Sequence, residues 1–439
     1  MAQIFVGTNN INLLSPNGQF GSRCQGGQDA SSPRYIFTLL SKLTRMIFKE
    51  EDNIILNYQD DDGQQIEPEY YIPIIPMILV NGGIGIGTGY STNIPQYNPS
   101  EIIDNCKLIC NVIKSSKITV KKEEDLEMVY DTLSVLELDN MIPYYLGFKG
   151  TIEKAEKNSY ISKGVYRWLD DQTVEITELP IGTWTEDYKD FLETMITSGL
   201  NNLKYIENHY TSKNVRFVLH FSTSVKAKIE GKFETLFKLA SSKNLSINNI
   251  HLFSNEGAIQ RYESTSEIIK EWAETRILKY FERKMYQIKM MEKDAKVLSN
   301  KMRFILDVIA GKIQIMNKKL VDIVARLVEL KYPPIDTEGD GDDTEDDEVS
   351  SKKIQQYNYL LKLPISQLTY DRKVILEKEL TALEDKLKTL KDTNIEDLWL
   401  NDLSELEKAW IQNKEYIMTD YENDLKGIVE SKVAKKKKK

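Results

Sequence analysis

Residues 19–35 read Gln-Phe-Gly-Ser-Arg-Cys-Gln-Gly-Gly-Gln-Asp-Ala-Ser-Ser-Pro-Arg-Tyr, a glycine-rich stretch that ends in an Arg-Tyr pair at the start of an apolar run. Glycines at positions 21, 26 and 27 let the backbone approach a ligand closely. Pro33 fixes the chain just before the pair. The pattern therefore indicates a loop that presents Arg34 and Tyr35 to a bound molecule.

The chemistry of this pair favours a phosphodiester. A phenol with an ordinary pKa of about 10 is a weak nucleophile at neutral pH, so a reacting tyrosine needs a cation or a metal beside it. Arg34 is always charged, and its planar fork matches two phosphate oxygens. An Arg-Tyr pair alone favours a surface loop followed by a helix whose tyrosine packs on its neighbours, so the nucleophile interpretation depends on the rest of the stretch.

Length and composition limit the class of protein. A chain of 439 residues is too long for one ordinary core, so about three domains are expected. A hydrophobic content of 41% is ordinary for a globular protein. The sequence has no apolar run long enough to span a membrane and no signal peptide at its start. Three cysteines cannot form a disulfide framework, which favours a reducing compartment.

The net charge of −9 is unevenly distributed. Residues 336–348 contain nine acids and no base, so the remainder of the chain is formally neutral. Residues 1–50 contain five bases against two acids, a local balance of +3. Positive charge thus surrounds Tyr35, as binding to phosphates requires.

The segments after the loop predict its surroundings. Apolar residues at helical spacing predict a helix from Pro33 to about Phe48, with Tyr35 in its first turn, where backbone N–H groups favour an anion. Prolines in residues 67–80 predict extended chain beneath the site. Residues 81–92 are glycine-rich but lack the Lys-Ser/Thr of a phosphate-binding P-loop.

Two further regions follow. Short strands and helices alternate from about residue 93 to 262, with strands predicted at 118–120, 174–179, 215–220 and 246–250. A long helix is predicted from Ser264, and apolar residues repeat again at three- and four-residue steps between Leu376 and Leu390. Two such arms separated by an insert predict an antiparallel coiled coil with a globular tip. The acidic run 336–348 is predicted to be a disordered loop on that tip.

The amino-acid sequences of several segments resemble those of the eukaryotic-type type IIA DNA topoisomerases. These segments are Asn-Asn-Ile-Asn-Leu-Leu at 9–14, Ser-Pro-Arg-Tyr-Ile-Phe-Thr at 32–38, the glycine loop at 81–92, Phe-Lys-Gly-Thr-Ile at 148–152 and the return segment at 356–365. The resemblance implies that Tyr35 is the nucleophile and Arg34 its phosphate-binding partner. It also implies DNA contacts by Arg23, Gln28 and Lys42.

In the same family the glycine loop inserts an isoleucine between base pairs, and Ile86 occupies that position. An apolar wedge on a glycine backbone suits this role. Residue 84 is isoleucine where the family commonly has glutamate, so a second apolar side chain lies near the wedge. A packed glycine turn is the alternative.

The resemblance implies an α+β multidomain fold. Residues 1–92 would form a partial winged-helix domain, 93–262 an α/β tower domain, 263–434 a long coiled coil with a dimerisation tip, and 435–439 a basic tail. Lysines of the tower region, for example Lys121, Lys122 and Lys149, would either follow DNA or form a solvated face.

Cofactors and partners are likewise implied by the family. Mg²⁺ and ATP would be bound by Toprim and ATPase regions that this chain does not contain, in the same enzyme or in a separate subunit. The chain would act on double-stranded DNA as a homodimer, joined through the tip, in the nucleus or in another compartment where DNA is replicated.

Three other classes of protein compete with this interpretation. A non-catalytic DNA-binding coiled-coil dimer remains the main alternative. A tyrosine recombinase needs a His-x-x-Arg element, which none of His209, His220 and His251 provides. A metal enzyme is disfavoured, because three scattered histidines with Cys106 and Cys110 on a predicted helix make no credible ligand set.

Overall fold

The computed structural model describes residues 1–118, 120–156, 158–243, 245–335 and 354–436, and only the backbone of Ile365 and of residues 427–436. The chain divides into two compact units, one formed by Met1–Phe281 with Ile395–Lys439 and the other by Glu282–Asn394. The acidic run predicted at 336–348 and the last residues of the basic tail lie outside the described residues. Helix and strand are both present, as the α+β class requires.

The helices have the following bounds: α1 Thr44–Ile47, α2 Met77–Asn81, α3 Pro99–Ser116, α4 Leu126–Ser134, α5 Thr185–Thr197, α6 Lys226–Ile229, α7 Phe233–Leu236, α8 Thr265–Ile309, α9 Leu320–Glu329, α10 Asn358–Leu361, α11 Tyr370–Asp392 and α12 Ile395–Lys436. Short 3-10 turns occur at Pro33–Tyr35, Glu50–Ile55, Glu123–Asp125, Leu200–Asn202, Glu230–Lys232 and Ile365–Gln367.

The strands are β1 Leu14–Asn17, β2 Phe37–Leu40, β3 Tyr58–Asp61, β4 Gln64–Pro68, β5 Gly83–Gly87, β6 Tyr90–Ile94, β7 Thr151–Lys154, β8 Tyr160–Lys163, β9 Val165–Asp170, β10 Thr173–Glu178, β11 Leu203–Asn208, β12 Phe217–Phe221, β13 Ala240–Ser241, β14 His251–Phe253 and β15 Ile259–Arg261. They form a four-stranded sheet (order β11-β12-β10-β9), a three-stranded sheet (β13-β8-β7) and the two-stranded pairs β1-β2, β3-β4, β5-β6 and β14-β15. All these pairs are antiparallel.

The main core of the larger unit forms where α3 packs against α12. Asn98 caps α3 by accepting a hydrogen bond from the Ser100 N–H, and the apolar residues of α3 recur on one buried face. Trp399 and Trp410 of α12 are fully buried in this core. The Trp399 Nε1–H donates to the Ile74 carbonyl at 3.0 Å, which satisfies its one polar atom.

A second core lies beneath the four-stranded sheet, against α5 and α7. Alternation along β10 buries Val174 and Ile176 in this core. Tyr188 of α5 spans the layer, and its hydroxyl donates to the Phe237 carbonyl at 2.8 Å. This packing fixes two features used below, the acidic residue at the end of β10 and the chain that enters α5.

A buried ion pair joins α8 to the region that follows α1. Arg276 is fully buried, and its Nη1 lies 2.7 Å from Asp52 Oδ2 and donates to the Ile72 carbonyl at 3.2 Å. Its guanidinium also stacks over the Tyr280 ring, 4.0 Å from the centroid. A buried charge is tolerated only when it is paired in this way.

The smaller unit contains the end of α8 and the antiparallel α11. Lys391 Nζ lies 2.6 Å from Glu292 Oε1, and Lys284 Nζ donates to the Thr393 carbonyl at 2.7 Å. At the opposite end of this pair of helices, an apolar cluster around Phe304, Leu327 and Leu360 forms a compact core. The long helix predicted from Ser264 is therefore present as α8, and the second predicted arm is present as α11.

Several local predictions were wrong. Residues 33–48 do not form one helix: a 3-10 turn ends at Tyr35, strand β2 follows, and α1 is a single turn. The cause is tertiary, because Phe37–Leu40 pairs with Leu14–Asn17, and such pairing overrides local spacing.

Three shorter segments also differ from their predictions. The end of the proline-rich stretch forms α2, since its helix begins just after Pro76 and the proline need not donate there. Residues 246–250 form a loop with one isolated bridge at Ser246. Ile118 and Val120 lie in irregular chain on either side of an undescribed residue.

Candidate functional site

Tyr35 closes the 3-10 turn at the end of the loop 19–35, which we call the tyrosine loop. Its N–H donates to the Ser32 carbonyl at 2.9 Å, and the Ile36 N–H donates to the Pro33 carbonyl at 3.4 Å. The residue is 69% exposed. The turn leaves the phenol accessible, but it is too short to supply the helix dipole that a longer helix would have provided.

Arg34 lies beside the phenol. Its guanidinium carbon is 5.2 Å from the centroid of the Tyr35 ring, and the side chain is exposed. Within the described part of the chain, no carboxylate pairs with it. The fork is therefore available for an anion next to the Tyr35 hydroxyl.

The tyrosine loop is closed internally by Asp29. The Asp29 carboxylate accepts hydrogen bonds from the Ser22 N–H at 2.8 Å, from Ser22 Oγ at 2.6 Å and from Gln19 Nε2 at 3.2 Å. Burial alone would raise the pKa of this carboxyl, but the hydrogen bonds from Ser22 outweigh it and hold the pKa below its usual value. The carboxylate thus stays ionised and keeps the two ends of the glycine segment together.

Two of the loop glycines are required by close contacts. A Cβ on Gly26 would lie 2.3 Å from the Trp184 ring, and one on Gly21 would lie 2.4 Å from Gly27 Cα. Both have φ in the left-handed region, +62° for Gly26 and +95° for Gly21. The loop is therefore seated directly on Trp184, the residue that precedes α5.

Arg23 is placed differently from its predicted role. It is only 4% exposed, and its guanidinium pairs with Glu178, which is fully buried at the end of β10. The second contact of the pair joins Arg23 Nη1 to Glu178 Oε2 at 3.4 Å. A side chain that is buried and paired in this way anchors the loop to the end of β10. The DNA contact expected of Arg23 stays a prediction, and it would require this ion pair to open.

The remaining basic residues near Tyr35 also fall into two groups. Lys49 is paired, with its Nζ 2.8 Å from Asp402 Oδ1. Lys42 and Arg45 are exposed, and no ion pair is found for either among the residues that the structure describes. Gln28 is exposed on the tyrosine loop, with its backbone N–H bound to the Gln25 carbonyl at 3.2 Å.

Ile86 lies near the end of the β5-β6 hairpin and is 91% exposed. Ile84 is 66% exposed, and because it is two residues away on the same strand it shares a face with Ile86. The start of β14 and the segment before it brace this hairpin. The His251 Nδ1–H donates to the Ser91 carbonyl at 3.0 Å, and the Asn93 N–H donates to the Asn249 carbonyl at 2.8 Å.

The described residues contain no group of three or more His, Cys, Asp or Glu side chains arranged to hold a metal ion. Cys106 and Cys110 are buried on α3, where burial raises the pKa of each thiol well above its usual range. The two cysteines are therefore packing residues. The residues that the structure describes therefore do not fit a magnesium site.

Sequence reasoning missed the residues that support the loop. Glu178 ends strand β10 and Trp184 precedes helix α5, both far along the chain from the loop. Lys149 supports Glu178, because its N–H donates to Glu178 Oε2 at 3.1 Å. Their sequence shows only an acidic residue at a strand end and an aromatic residue before a helix. Neither pattern indicates a partner in the tyrosine loop.

Comparison with known proteins gives consistent results. A family model that describes the A subunit of DNA gyrase/topoisomerase IV matches residues 1–404. The chain is 40% identical over 429 residues to DNA topoisomerase 2 of Plasmodium falciparum, covering 93% of this chain and 29% of that protein. It is 38% identical to DNA topoisomerase 2 of Arabidopsis thaliana, covering 93% of this chain and 28% of that protein. The chain therefore spans less than a third of the length of these curated relatives.

A solved structure is also similar. The crystal structure of the Plasmodium falciparum topoisomerase II DNA-binding, cleavage and re-ligation domain aligns with a TM-score of 0.80 at 37% identity, covering 95% of this chain and 55% of that one. Among the described residues, no helix is long and apolar enough to cross a membrane.

Proposed function

Because the chain belongs to the DNA gyrase/topoisomerase IV family, in the part that corresponds to its A subunit, we propose that it is the DNA breakage-rejoining portion of a type II DNA topoisomerase. One observation carries the proposal: Tyr35 is exposed beside an exposed Arg34. Both lie at the end of a loop that is fixed by the pair of Arg23 with Glu178 and by the contact of Gly26 with Trp184. Such an arrangement leaves the reacting groups accessible while fixing their position.

The reaction is an exchange of phosphoester bonds. Tyr35 Oη forms a bond to a backbone phosphorus, and the bond from that phosphorus to the 3′-oxygen breaks. The phenol loses its proton, the released 3′-oxygen gains one, and the 5′-phosphate remains on the tyrosine. The number of phosphoester bonds is unchanged, so the reverse step rejoins the strand.

Arg34 stabilises the charge that develops on the phosphoryl oxygens, because its free fork lies next to the phenol. Gln28 and Lys42 are assigned to DNA binding on the same exposed surface. Ile86 is assigned as a wedge that unstacks a base step and bends the duplex, which its nearly complete exposure at the hairpin supports.

Domain roles follow the family plan. We assign residues 1–92 to a partial winged-helix domain, 93–262 to a tower domain and 263–434 to a coiled coil whose tip joins two copies. Each copy would supply one Tyr35, and the two tyrosines would cut opposite strands so that another duplex can pass. Double-stranded DNA in the nucleus is the proposed substrate.

Magnesium and ATP are assigned elsewhere in the enzyme. Since the part of the chain that the structure describes offers no set of metal ligands, no step of the bond exchange is attributed to a metal held by these residues. When magnesium is bound by a Toprim region, it supplies charge stabilisation at the reacting phosphate. ATP would act through an ATPase region.

The proposal is tested with nicked duplex DNA and magnesium, with and without a Toprim-containing region. We expect wild type to become covalently linked to 5′ ends only with that region, and Tyr35→Phe to give no adduct. Arg34→Ala should lower adduct formation roughly 100-fold, as loss of one preorganised donor does. Tyr416→Phe removes the hydroxyl of another exposed tyrosine and serves as the control.

Two results would contradict the assignment. Equal adduct from wild type and Tyr35→Phe would show that another residue is the nucleophile. DNA binding without any adduct from wild type, in the presence of the Toprim region, would instead favour a non-catalytic DNA-binding dimer.

A further inference from the structure

Residues 211–214, which we call the linking segment, lie between the tyrosine loop and α12. On the loop side, the Arg23 N–H donates to the Ser212 carbonyl at 3.3 Å and the Cys24 thiol donates to the Thr211 carbonyl at 3.4 Å. On the helix side, Thr211 Oγ1 donates to Asp424 Oδ2 at 2.5 Å. One short segment therefore connects the start of the tyrosine loop to the last helix.

A second path runs through side chains. Asn214 is buried, and its Nδ2 donates to Asp424 Oδ2 at 2.7 Å and to the Tyr421 carbonyl at 3.2 Å. Its Oδ1 accepts a hydrogen bond from Lys149 Nζ at 2.8 Å. Both N–H groups of the amide are thus bound by α12, and its oxygen is bound by the segment before β7.

Lys149 carries this path to the loop. Its backbone N–H donates to Glu178, and Glu178 holds the guanidinium of Arg23. Partial burial of the Lys149 ammonium lowers its pKa, and the nearby charge of Arg23 lowers it further, against the attraction of Glu178. The main chain and the side chain of Arg23 are therefore each linked to Asp424 by a separate series of hydrogen bonds.

A small cavity lies beside these contacts. It has a volume of about 140 Å³ and is lined by residues of the tyrosine loop, including Phe20 and Gly21, together with Lys213 and Tyr421. Close packing therefore does not by itself fix the loop against α12 here. The linking segment makes this connection through its hydrogen bonds to Asp424 and through an ion pair between Lys213 Nζ and Asp420 Oδ2 at 2.6 Å.

We propose that Asp424 and Asn214 are positioning residues, which fix the tyrosine loop against α12 through the linking segment and Arg23. A displacement of α12 at Asp424 then changes the placement of Tyr35. The part of this inference that concerns the reaction rests on the proposed function, whereas the contact itself is a property of the chain.

Cys24 provides a native probe of the contact. Cys106 and Cys110 are fully buried, so Cys24 is the accessible thiol among the three cysteines. Asp424→Ala should raise the rate of iodoacetamide alkylation of Cys24, measured by peptide mass spectrometry, roughly tenfold, because hydrogen bonds to a charged group are lost. Glu422→Ala removes the same charge from an exposed site on the same helix and should leave the rate within about twofold.

A second variant separates the contact from any general unfolding. Thr211→Val removes the hydroxyl that donates to Asp424 and accepts from the Lys213 and Asn214 N–H groups, and it keeps the carbonyl that binds Cys24. Faster alkylation should again follow, with Cys106 and Cys110 still unlabelled. Unchanged Cys24 alkylation in both Asp424→Ala and Thr211→Val would overturn the proposal, whatever the effect on DNA.

The reaction is tested in the enzyme assembled with the Toprim-containing region. Asp424→Ala should form the Tyr35 adduct roughly tenfold more slowly than wild type at unchanged DNA affinity, and Asp424→Asn, which can still accept from Thr211, should recover part of the rate. Wild-type rates in Asp424→Ala would overturn the positioning role. A wild-type enzyme that forms no Tyr35 adduct is a different result, because it overturns the proposed function itself.

Discussion

Replacing Gly26 by alanine tests whether the tyrosine loop is seated on Trp184. The new Cβ would lie 2.3 Å from the indole, and the residue would keep a φ of +62°. The left-handed backbone costs alanine about 1–2 kcal/mol relative to glycine. Forcing a methyl group into a packed contact costs about 1–3 kcal/mol more. We therefore expect Gly26→Ala to lower the free energy of unfolding by about 2–5 kcal/mol.

The chain offers a matched control for this substitution. Gly63 also has a positive φ, +82°, but a Cβ there would meet nothing within 4 Å. Gly63→Ala should therefore show the backbone cost alone, about 1–2 kcal/mol. Urea denaturation of the two variants, followed by tryptophan fluorescence, measures the difference, which isolates the contact with Trp184.

Trp184→Phe provides the complementary change. A smaller ring should relieve the contact, so Gly26→Ala should cost less in the Trp184→Phe background than in the wild type, a positive coupling in a double-mutant cycle. If Gly26→Ala costs no more than Gly63→Ala, and the two changes at Gly26 and Trp184 are additive, the loop does not rest on the indole and the reasoning about its seat is wrong.

Three further predictions follow from other parts of the structure. Ile86→Ala should abolish bending of bound DNA, measured by fluorescence transfer between the duplex ends. Ile84→Ala should reduce the bending less, because Ile84 is less exposed. Equal bending in Ile86→Ala and wild type would contradict the role of Ile86 as a wedge. Arg276→Ala should lower the unfolding free energy by about 3–5 kcal/mol, since it leaves a buried carboxylate without its guanidinium, and a loss below about 1 kcal/mol in urea denaturation would show that the pair is not buried in solution. The extra stability of wild type over Asp29→Asn should be complete above the ordinary carboxyl pKa of 3.8 and disappear as the pH falls through the lowered pKa of the folded state. A difference in stability that does not change with pH across the acid range would assign it to packing.

The sequence predicted the long elements better than the short ones. Helix α8 begins within one residue of the predicted start at Ser264, because its apolar spacing persists over many turns. Residues 33–48 have a similar spacing over too few turns to exclude a strand. Their partner is Leu14–Asn17, and pairing between separate segments leaves no local signal that spacing alone can detect.

The same limit applies to the site. Tyr35, Arg34 and Ile86 are exposed, which their predicted roles require, and those roles came from residue chemistry and from family resemblance. Arg23 has the same charge as Arg34 in the sequence and lies on the same loop. Only the fold shows that the Arg23 guanidinium is paired with Glu178, which is 155 residues away in the chain.

Acidic partners in the fold reduce the number of basic side chains near Tyr35 that are available to bind phosphate. Arg23 is neutralised by Glu178 and Lys49 by Asp402, so two of the five bases in residues 1–50 already have acidic partners. Arg34, Lys42 and Arg45 remain exposed for phosphates.

Each phosphate contact contributes about −0.9 to the slope of log affinity against log salt concentration for duplex DNA. Lys42→Ala should therefore make the slope shallower by about 0.9, whereas Lys49→Ala, with the same charge change, should leave the slope unchanged because Lys49 binds Asp402 instead. Fluorescence anisotropy titrations of labelled duplex across a range of salt concentrations measure both slopes. If the two variants change the slope equally, the ion pair of Lys49 with Asp402 opens when DNA binds. The DNA-binding surface would then include every basic residue in this part of the sequence, whether or not it has an acidic partner in the fold.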